Sequence, residues 1–317
     1  MLWPVCRRGE QWSFESMSRT AGLPAKSLLL LLAAGTASAA ISAAPAALDY
    51  VVRGDGVVAA VIGGQPARLR ISPWAPAAPT LNPDFAQRIG LRGGLFGFAV
   101  KVGPVKVGGQ SSVTRLEVSK ASFRRRVVWF DRPWSAGADA AVGPGGLPVD
   151  VVRFELRAPQ PGERTVALPL DQAMFRPSYG RVAIGKRSLI VLFDPQHRQT
   201  LATAGAGATL AESFGGQFYG VADRAEVAFG IQRPVRAMRL ARPLSVGPLA
   251  IDRLLVRTGD NGSVAGIPDA DADPEEIVVT AKGGNRRDVL IIGRDQLDRC
   301  SSITFDKKVH LIRMACV

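Results

Sequence analysis

The order of landmarks along this chain repeats once, and a duplicated order limits the possible folds more than any single motif does. Residues 62–74 (IGGQPARLRISPW) parallel residues 184–196 (IGKRSLIVLFDPQ). Ser72 lies nine positions after Gly63 in the first copy, and Asp194 lies nine positions after Gly185 in the second. We therefore expect two related lobes in one chain.

Further landmarks follow in the same order in both copies. In the first copy they are Ile89-Gly90, Phe96-Gly97, Val142-Gly143 and Leu147; in the second they are Phe214-Gly215, Tyr219-Gly220, Ile292-Gly293 and Leu297. The second copy is longer, and the segment 258–287, rich in Gly, Asp and Pro, accounts for the difference. The predicted organisation is residues 48–157 for the first lobe, 158–177 for a linker and 178–317 for the second lobe.

Short apolar runs between Gly and Pro breaks predict a mostly β fold with a few short helices. The predicted strands are 57–62, 99–107, 113–118, 127–130, 151–156, 189–193, 249–256 and 289–292. Two helices are expected, one at 83–89 after Asn82 and one at 207–214.

Residues 1–39 have the layout of a secretory signal peptide. A short basic segment precedes the apolar run 28–34, and residues 37–39 (ASA) have the small-residue pattern of a cleavage site. Met17 is the expected start of translation, because acidic residues dilute the basic character of the segment before it. We expect export to the periplasm and a mature chain that begins near Ala40 and has no transmembrane segment.

Export would place the two cysteines of the mature chain, Cys300 and Cys316, in an oxidising compartment. Residues 303–306 and 309–314 are typical of two strands around a turn at 307–308. The cysteines are nearly symmetric about that turn, so a hairpin would bring them face to face. A structural disulfide is therefore predicted, since the spacing of a redox or metal site is lacking.

The duplicated order and its closing segments resemble the retropepsin-like and pepsin-like aspartic peptidases. Residues 138–148 (ADAAVGPGGLP) and 289–297 (VLIIGRDQL) are similar to the apolar-apolar-glycine segment that closes each lobe of that family. The resemblance implies two aspartic-peptidase-like β lobes, each with a turn that carries Asp-Thr/Ser-Gly after a strand.

Both turns depart from the family's pattern, because Ser72-Pro73-Trp74 and Asp194-Pro195-Gln196 stand where the resemblance implies Asp-Thr-Gly. The family's chemistry needs two carboxylates that share one proton and hold the attacking water. We therefore expect no catalytic residue, with Asp194 the candidate carboxylate and Ser72 its degenerate counterpart. An ordinary turn or cap role for Asp194 is the favoured interpretation, and a homodimer that pairs two copies of Asp194 is the alternative.

Aromatic residues close to Gly97 in the first copy and Gly220 in the second are candidates for hairpins that cover a cleft between the lobes. They are Phe96 and Phe98 in the first lobe and Phe218 and Tyr219 in the second. A place in the core is the equally open alternative for all four. We expect a peptide or an envelope protein as the partner, and no cofactor.

The formal net charge is +13, from 40 Lys+Arg against 27 Asp+Glu, and we interpret it as an exported basic scaffold with one acidic loop rather than as a sign of a polyanionic partner. No nucleic-acid motif accompanies it, so no nucleic-acid partner is expected. The densest basic run, residues 124–126, predicts a solvated turn between strands, with contact to an anionic surface or a glycolipid as the alternative.

Two patterns in the acidic insertion 258–287 invite a functional interpretation. Asp269, Asp271 and Asp273 copy the first ligands of a calcium loop, but the glycine and glutamate that such a loop requires are lacking, so we expect no metal. Residues 276–281 (EIVVTA) resemble the energy-coupling box of TonB-dependent receptors, although an edge strand that leaves a flexible loop is favoured.

These observations predict an exported, catalytically inactive aspartic-peptidase-like protein that binds peptide or protein between its lobes. An active aspartic endopeptidase that uses Asp194 in a homodimer is one alternative. A structural envelope protein is the other.

Overall fold

Apolar residues, many of which alternate with polar ones between glycine turns, fold most of the residues that the structure describes into β-strands. A computed structural model describes residues 49–94, 97–119, 121–259 and 288–317, which lie in one compact unit. The predicted signal segment, Phe96 and the insertion from residue 260 to residue 287 lie outside the described residues.

The first strands in chain order are β1 Asp49–Val52, β2 Val57–Ile62, β3 Gln65–Ile71, β4 Thr80–Leu81, β5 Phe98–Val102, β6 Val105–Val118, β7 Ala121–Phe130, β8 Ala140–Val142 and β9 Val151–Glu155. The others that the structure describes are β10 Arg164–Pro169, β11 Gly180–Ile184, β12 Arg187–Phe193, β13 Leu201–Ala202, β14 Gly216–Ala228, β15 Ile231–Val246, β16 Leu249–Arg257, β17 Val289–Ile292, β18 Cys300–Asp306 and β19 Leu311–Cys316. Helices α1 Pro83–Arg88, α2 Ala204–Phe214 and α3 Arg294–Leu297 and a 3-10 turn at Pro144–Gly146 lie between them. The prediction of a mostly β chain with a few short helices is confirmed.

The first seven-stranded sheet has the order β2-β3-β8-β4-β7-β6-β5. Strand β8 pairs in parallel with β3 and antiparallel with β4, and β4 pairs in parallel with β7. An additional antiparallel pairing of β2 with β6 closes this sheet into a barrel. The apolar side chains of Ile62, Leu69 and Leu81 are fully buried inside it.

The second seven-stranded sheet has the order β11-β12-β17-β13-β16-β15-β14, which is the order of the first sheet moved nine strands along the chain. Its parallel pairs, β12 with β17 and β13 with β16, correspond to β3 with β8 and β4 with β7. Strands β13 and β17 run antiparallel, as β4 and β8 do. The two sheets therefore share one topology.

A five-stranded sheet, β1-β9-β18-β19-β10, is built from the segments that flank the two seven-stranded sheets. Strand β10 lies within residues 158–177, the predicted linker, and pairs with β19. Phe154 and Phe305 of this sheet belong to the same core cluster as Ile62 and Phe193 of the seven-stranded sheets. In the described ranges, no helix has the length and apolarity needed to span a membrane.

Three predicted elements differ from the structure. Residues 99–107 are wrong as a single strand, because the chain turns at Gly103, which has a φ of 60°, between β5 and β6. Residues 124–126 do not form a turn either: they lie inside β7, where each pairs with a residue of β6. The strand predicted at 309–314 begins at Leu311, because His310 adopts a φ of 54° in the turn.

Both predicted helices are present. Helix α1 begins after Asn82 as expected, but the Asn82 side chain does not cap it and instead bonds the backbone of Trp134, Ser135 and Ala138. Helix α2 begins three residues earlier than predicted, because Thr203 accepts a hydrogen bond from the Ala206 N–H and caps it there.

The predicted disulfide between Cys300 and Cys316 is confirmed. The two residues are direct partners in the antiparallel pairing of β18 with β19, and both are buried. The bond ties the last strand of the chain to the middle of the five-stranded sheet.

Replacing both Cys300 and Cys316 with alanine is expected to lower the free energy of unfolding by about 3 kcal/mol, because the unfolded chain regains the freedom of the closed loop. Urea unfolding of the oxidised protein and of the double variant measures the difference. A reducing agent should lower the stability of the wild type and leave the variant unchanged. Equal stability of the two proteins would contradict a structural role for the bond.

Candidate functional site

One turn follows the second strand of each seven-stranded sheet, and the two turns are built alike. The Ser72 turn (residues 72–75) follows β3, and the Asp194 turn (residues 194–197) follows β12. The N–H of Ser72 donates to the Val142 carbonyl at 3.0 Å, and the N–H of Asp194 donates to the Ile292 carbonyl at 2.9 Å. Since β8 and β17 occupy the same place in their sheets, these bonds are equivalent.

Hydrogen bonds within the turns match as well. The Ser72 carbonyl accepts the Ala75 N–H at 3.1 Å, and the Asp194 carbonyl accepts the His197 N–H at 3.2 Å. The Ser72 Oγ accepts the N–H two residues on at 3.3 Å, and the Asp194 Oδ1 does the same at 3.0 Å. A serine hydroxyl in the first sheet thus occupies the place of a carboxylate in the second.

The Asp194 turn contacts the first sheet through Gln196. The Arg70 Nη1, on β3, donates to Gln196 Oε1 at 3.2 Å, and Gln196 Nε2 donates to the Asp55 carbonyl at 3.1 Å. The Arg70 Nη2 also lies 4.0 Å from the Asp55 carboxylate. Because Arg70 precedes Ser72 by two residues, these contacts bring the Asp194 turn to the end of the strand that leads into the Ser72 turn.

Asp194 is a buried carboxyl group, with 9% of its surface exposed. Burial raises the pKa of Asp194, and this effect is opposed by the N–H groups of Gln196 and His197 and by the charges of His197 and Arg70. Ser72 is also buried, at 6% exposure. The two turns therefore hold one buried carboxyl group and one buried hydroxyl group.

Asp194 is expected to make the protein less stable as pH rises. The folded protein holds the Asp194 proton more tightly than the unfolded chain, in which the pKa of an aspartate is about 3.9. Its contribution is most favourable below that unfolded pKa and is lost as pH rises through the folded pKa. In urea unfolding, the stability of Asp194→Asn minus that of the wild type should therefore increase from about pH 3 to about pH 7. A difference that falls with pH would contradict a raised pKa.

Apolar side chains from the two seven-stranded sheets pack together in one cluster. We call it the inter-sheet cluster, and its buried members include Ala78, Val102, Val107, Val128 and Phe130 from the first half of the chain and Leu192, Val227, Phe229, Leu255 and Ile291 from the second. The hairpins β5–β6 and β14–β15, which hold equivalent places in the two sheets, both contribute to it.

The tip of the β14–β15 hairpin contacts aromatic residues of the first half of the chain. The Phe229 ring centroid lies 4.7 Å from that of Phe130 and 4.9 Å from that of Trp134, both edge to face. Phe229 has a φ of 57° and is followed by Gly230 at 68°, so the tip places a bulky residue in the left-handed region. Burial of the ring, which is 4% exposed, offsets that strain.

The predicted cleft aromatics lie in different places. Phe98 begins β5 and lies edge to face with Phe130 and tilted toward Phe175, with ring centroids 5.5 Å and 6.3 Å away. Phe218 is half-buried and packs against the core cluster that contains Ile62 and Phe193. Tyr219 is 43% exposed, and the Arg239 guanidinium lies 5.8 Å from the centre of its ring. Phe96 lies outside the described residues.

A groove of about 730 Å³ lies beside Phe98 in the first sheet, between helix α1 and strands β5 to β7. Leu91, Trp129, Phe130 and Lys106 also line it, and neither Ser72 nor Asp194 does. The part of the chain that the structure describes brings no three His, Cys, Asp or Glu side chains together as metal ligands.

Sequence reasoning singled out Ser72 and Asp194 but missed the residues that join the two sheets. Arg70, Phe130, Trp134 and Phe229 carry no motif, and their partners are more than 50 residues away in the chain. The Phe229-Gly230 pair is the one available signal, since a glycine between two strand-like runs indicates a hairpin.

No protein-family model matches this chain, and no curated protein matches it. Among solved structures, it is similar to "EIAV protease complexed with the inhibitor HBY-793", at 16% sequence identity over 28% of this chain and 82% of that one. The TM-score is 0.23, so this similarity carries no argument about function.

Proposed function

We propose that this chain is an exported, catalytically inactive protein with two aspartic-peptidase-like lobes, which binds a peptide or protein segment between its seven-stranded sheets. One observation carries the proposal. The Ser72 turn and the Asp194 turn make the same hydrogen bonds at the same place in two sheets of one topology, yet they supply a single carboxylate.

A single carboxylate cannot perform the chemistry that the resemblance implies. Activation of water needs a base, and protonation of the leaving group needs an acid. Two carboxyl groups are therefore required, one ionised as the base and one protonated as the acid. Ser72 offers a hydroxyl, which neither holds a negative charge nor shares a proton with Asp194 near neutral pH. Pro195 also removes a backbone N–H from the turn that carries Asp194.

Backbone contacts near the Ser72 turn support binding of a further chain segment there. The N–H groups of Ala77 and Ala78 donate to the carbonyls of Arg176 and Met174, at 3.1 Å and 2.6 Å. The ring of Phe175, between those two residues, lies near that of Phe98. The chain thus holds a turn of its own here through backbone bonds and an apolar contact, which are also the kinds of contact by which proteins hold peptides.

Thermal unfolding with synthetic peptides tests the binding function. Full-length protein is heated with a set of about ten-residue peptides rich in apolar and aromatic residues, and with the same peptides in which every apolar residue is serine. A bound peptide at about 100 times its Kd adds about 2.7 kcal/mol to the free energy of unfolding. We expect apolar peptides to raise the Tm and the serine versions to leave it unchanged.

The same experiment distinguishes a structural role. If no apolar peptide raises the Tm of a folded sample, the protein does not bind peptide and a structural envelope role replaces the proposal. A Phe98→Ala variant is the matched test of position: it should weaken the effect of a bound peptide, whereas Tyr219→Ala, which removes an exposed ring from the second sheet, should not.

A further inference from the structure

Three arginines project from one face of the hairpin formed by β6 and β7. The antiparallel register places Arg115 opposite Arg124 and Val113 opposite Arg126. Residues that pair across an antiparallel ladder lie on the same face, and so do residues two apart in one strand. Arg115, Arg124 and Arg126 are exposed, and we call this group the basic face.

The fold does not neutralise the basic face. Arg115 stands directly across the ladder from Arg124, and like charges in that position are destabilising. In the described ranges, none of the three arginines forms an ion pair with a carboxylate. Arg126 Nη1 donates to Ser111 Oγ at 3.0 Å, and the same face of the hairpin carries one acid, the half-buried Glu117.

We propose that the basic face docks on the anionic surface of a lipid bilayer, where its guanidinium groups bind lipid phosphates. Guanidinium groups match phosphate oxygens in geometry and remain charged at every physiological pH. The inference rests on the basic face alone and does not depend on peptide binding between the sheets.

A bilayer fits this face better than a folded protein partner does. The one large apolar side chain exposed among the arginines is Val113, at 45%. A stable protein interface needs about 800 Å² on each partner with an apolar core, and this face lacks such a core. A membrane presents many phosphates with no demand for a complementary shape, and arginines close to it each contribute to binding.

Co-sedimentation with vesicles tests the docking surface. Full-length protein is mixed with phosphatidylcholine vesicles that contain about 30% phosphatidylglycerol or none, at low and high salt. The triple variant Arg115→Gln, Arg124→Gln, Arg126→Gln is compared with a matched control, Arg198→Gln, Arg242→Gln, Arg253→Gln. The control removes the same charge from exposed positions outside the basic face.

We expect the wild type and the control to bind anionic vesicles at low salt and to bind weakly at high salt. The basic-face variant should lose binding about fivefold per arginine, or about a hundredfold in total. Circular dichroism and thermal unfolding should be the same for both variants, which shows that the loss is not due to unfolding.

Four results would overturn the proposal. The first is an equal loss of binding in the two variants, which would indicate an effect of net charge alone. The second is no binding of the wild type to anionic vesicles. The third is saturable binding of inorganic phosphate that depends on the basic face and displaces the vesicles, which would indicate a site for free phosphate. The fourth is tighter binding to a folded anionic protein or to an oligonucleotide than to the vesicles, with the same dependence on the basic face.

Discussion

Replacing Phe229 with alanine is expected to lower the free energy of unfolding by about 3 to 5 kcal/mol. The ring is buried against Phe130 and Trp134, so its removal leaves a cavity between the two seven-stranded sheets. Alanine keeps a Cβ at a position with positive φ, so the backbone strain remains while the packing that offsets it is lost.

Urea unfolding followed by circular dichroism measures this loss. Tyr219→Ala is the matched control, because it removes an exposed aromatic ring from the same hairpin. The control is expected to change stability by less than about 1 kcal/mol. If Phe229→Ala costs no more than the control, the tip of the β14–β15 hairpin does not hold the two sheets together.

Replacing Gly143 or Gly293 with alanine is expected to cost about 3 kcal/mol or more at either position. These glycines follow β8 and β17 and face the two turns. A Cβ on Gly143 would lie 2.1 Å from the Ala75 carbonyl oxygen, and one on Gly293 would lie 2.5 Å from the Gln199 carbonyl carbon. Both neighbours are backbone atoms, so no side-chain rotation can make room.

Gly180→Ala is the control for this pair. Gly180 is also buried, but a Cβ there would meet its nearest neighbours at 3.6 Å, an ordinary contact distance. Thermal unfolding should show a large loss of stability for both turn glycines and a small change for the control. A large loss at one turn glycine and none at the other would contradict the equivalence of the two turns.

Short-range patterns predicted individual strands and turns well. The apolar runs of β2 and β17 predict both strands with their observed bounds, and the cysteine spacing predicts a disulfide that the β18–β19 register explains. Residues 124–126 show the limit of such reasoning. A run of charges indicates exposure, but exposure is compatible with the outer face of a strand as well as with a turn, and pairing with β6 decides between them.

The residues that hold the site together could not be predicted, because they depend on contacts between distant parts of the chain. Gln196 was interpreted as a departure from a motif, and the structure adds its hydrogen bonds to Arg70 and Asp55. Phe229 occupies a strained turn whose cost is explained by rings that lie about 100 residues earlier in the chain. Local patterns contain no information about such pairings, whereas Ser72 and Asp194 were found because the chain repeats its own landmarks.

We propose that a serine and a single buried aspartate at equivalent turns leave the protein without peptidase activity. The most direct test incubates full-length wild type, Asp194→Ala and Ser72→Ala with a library of peptides from about pH 3 to about pH 7, with mass spectrometry to detect cleavage. We expect no cleavage by any of the three proteins above that of a blank without protein. Cleavage by the wild type that Asp194→Ala abolishes would contradict the claim and would favour an active peptidase in which Asp194 of two subunits forms the pair.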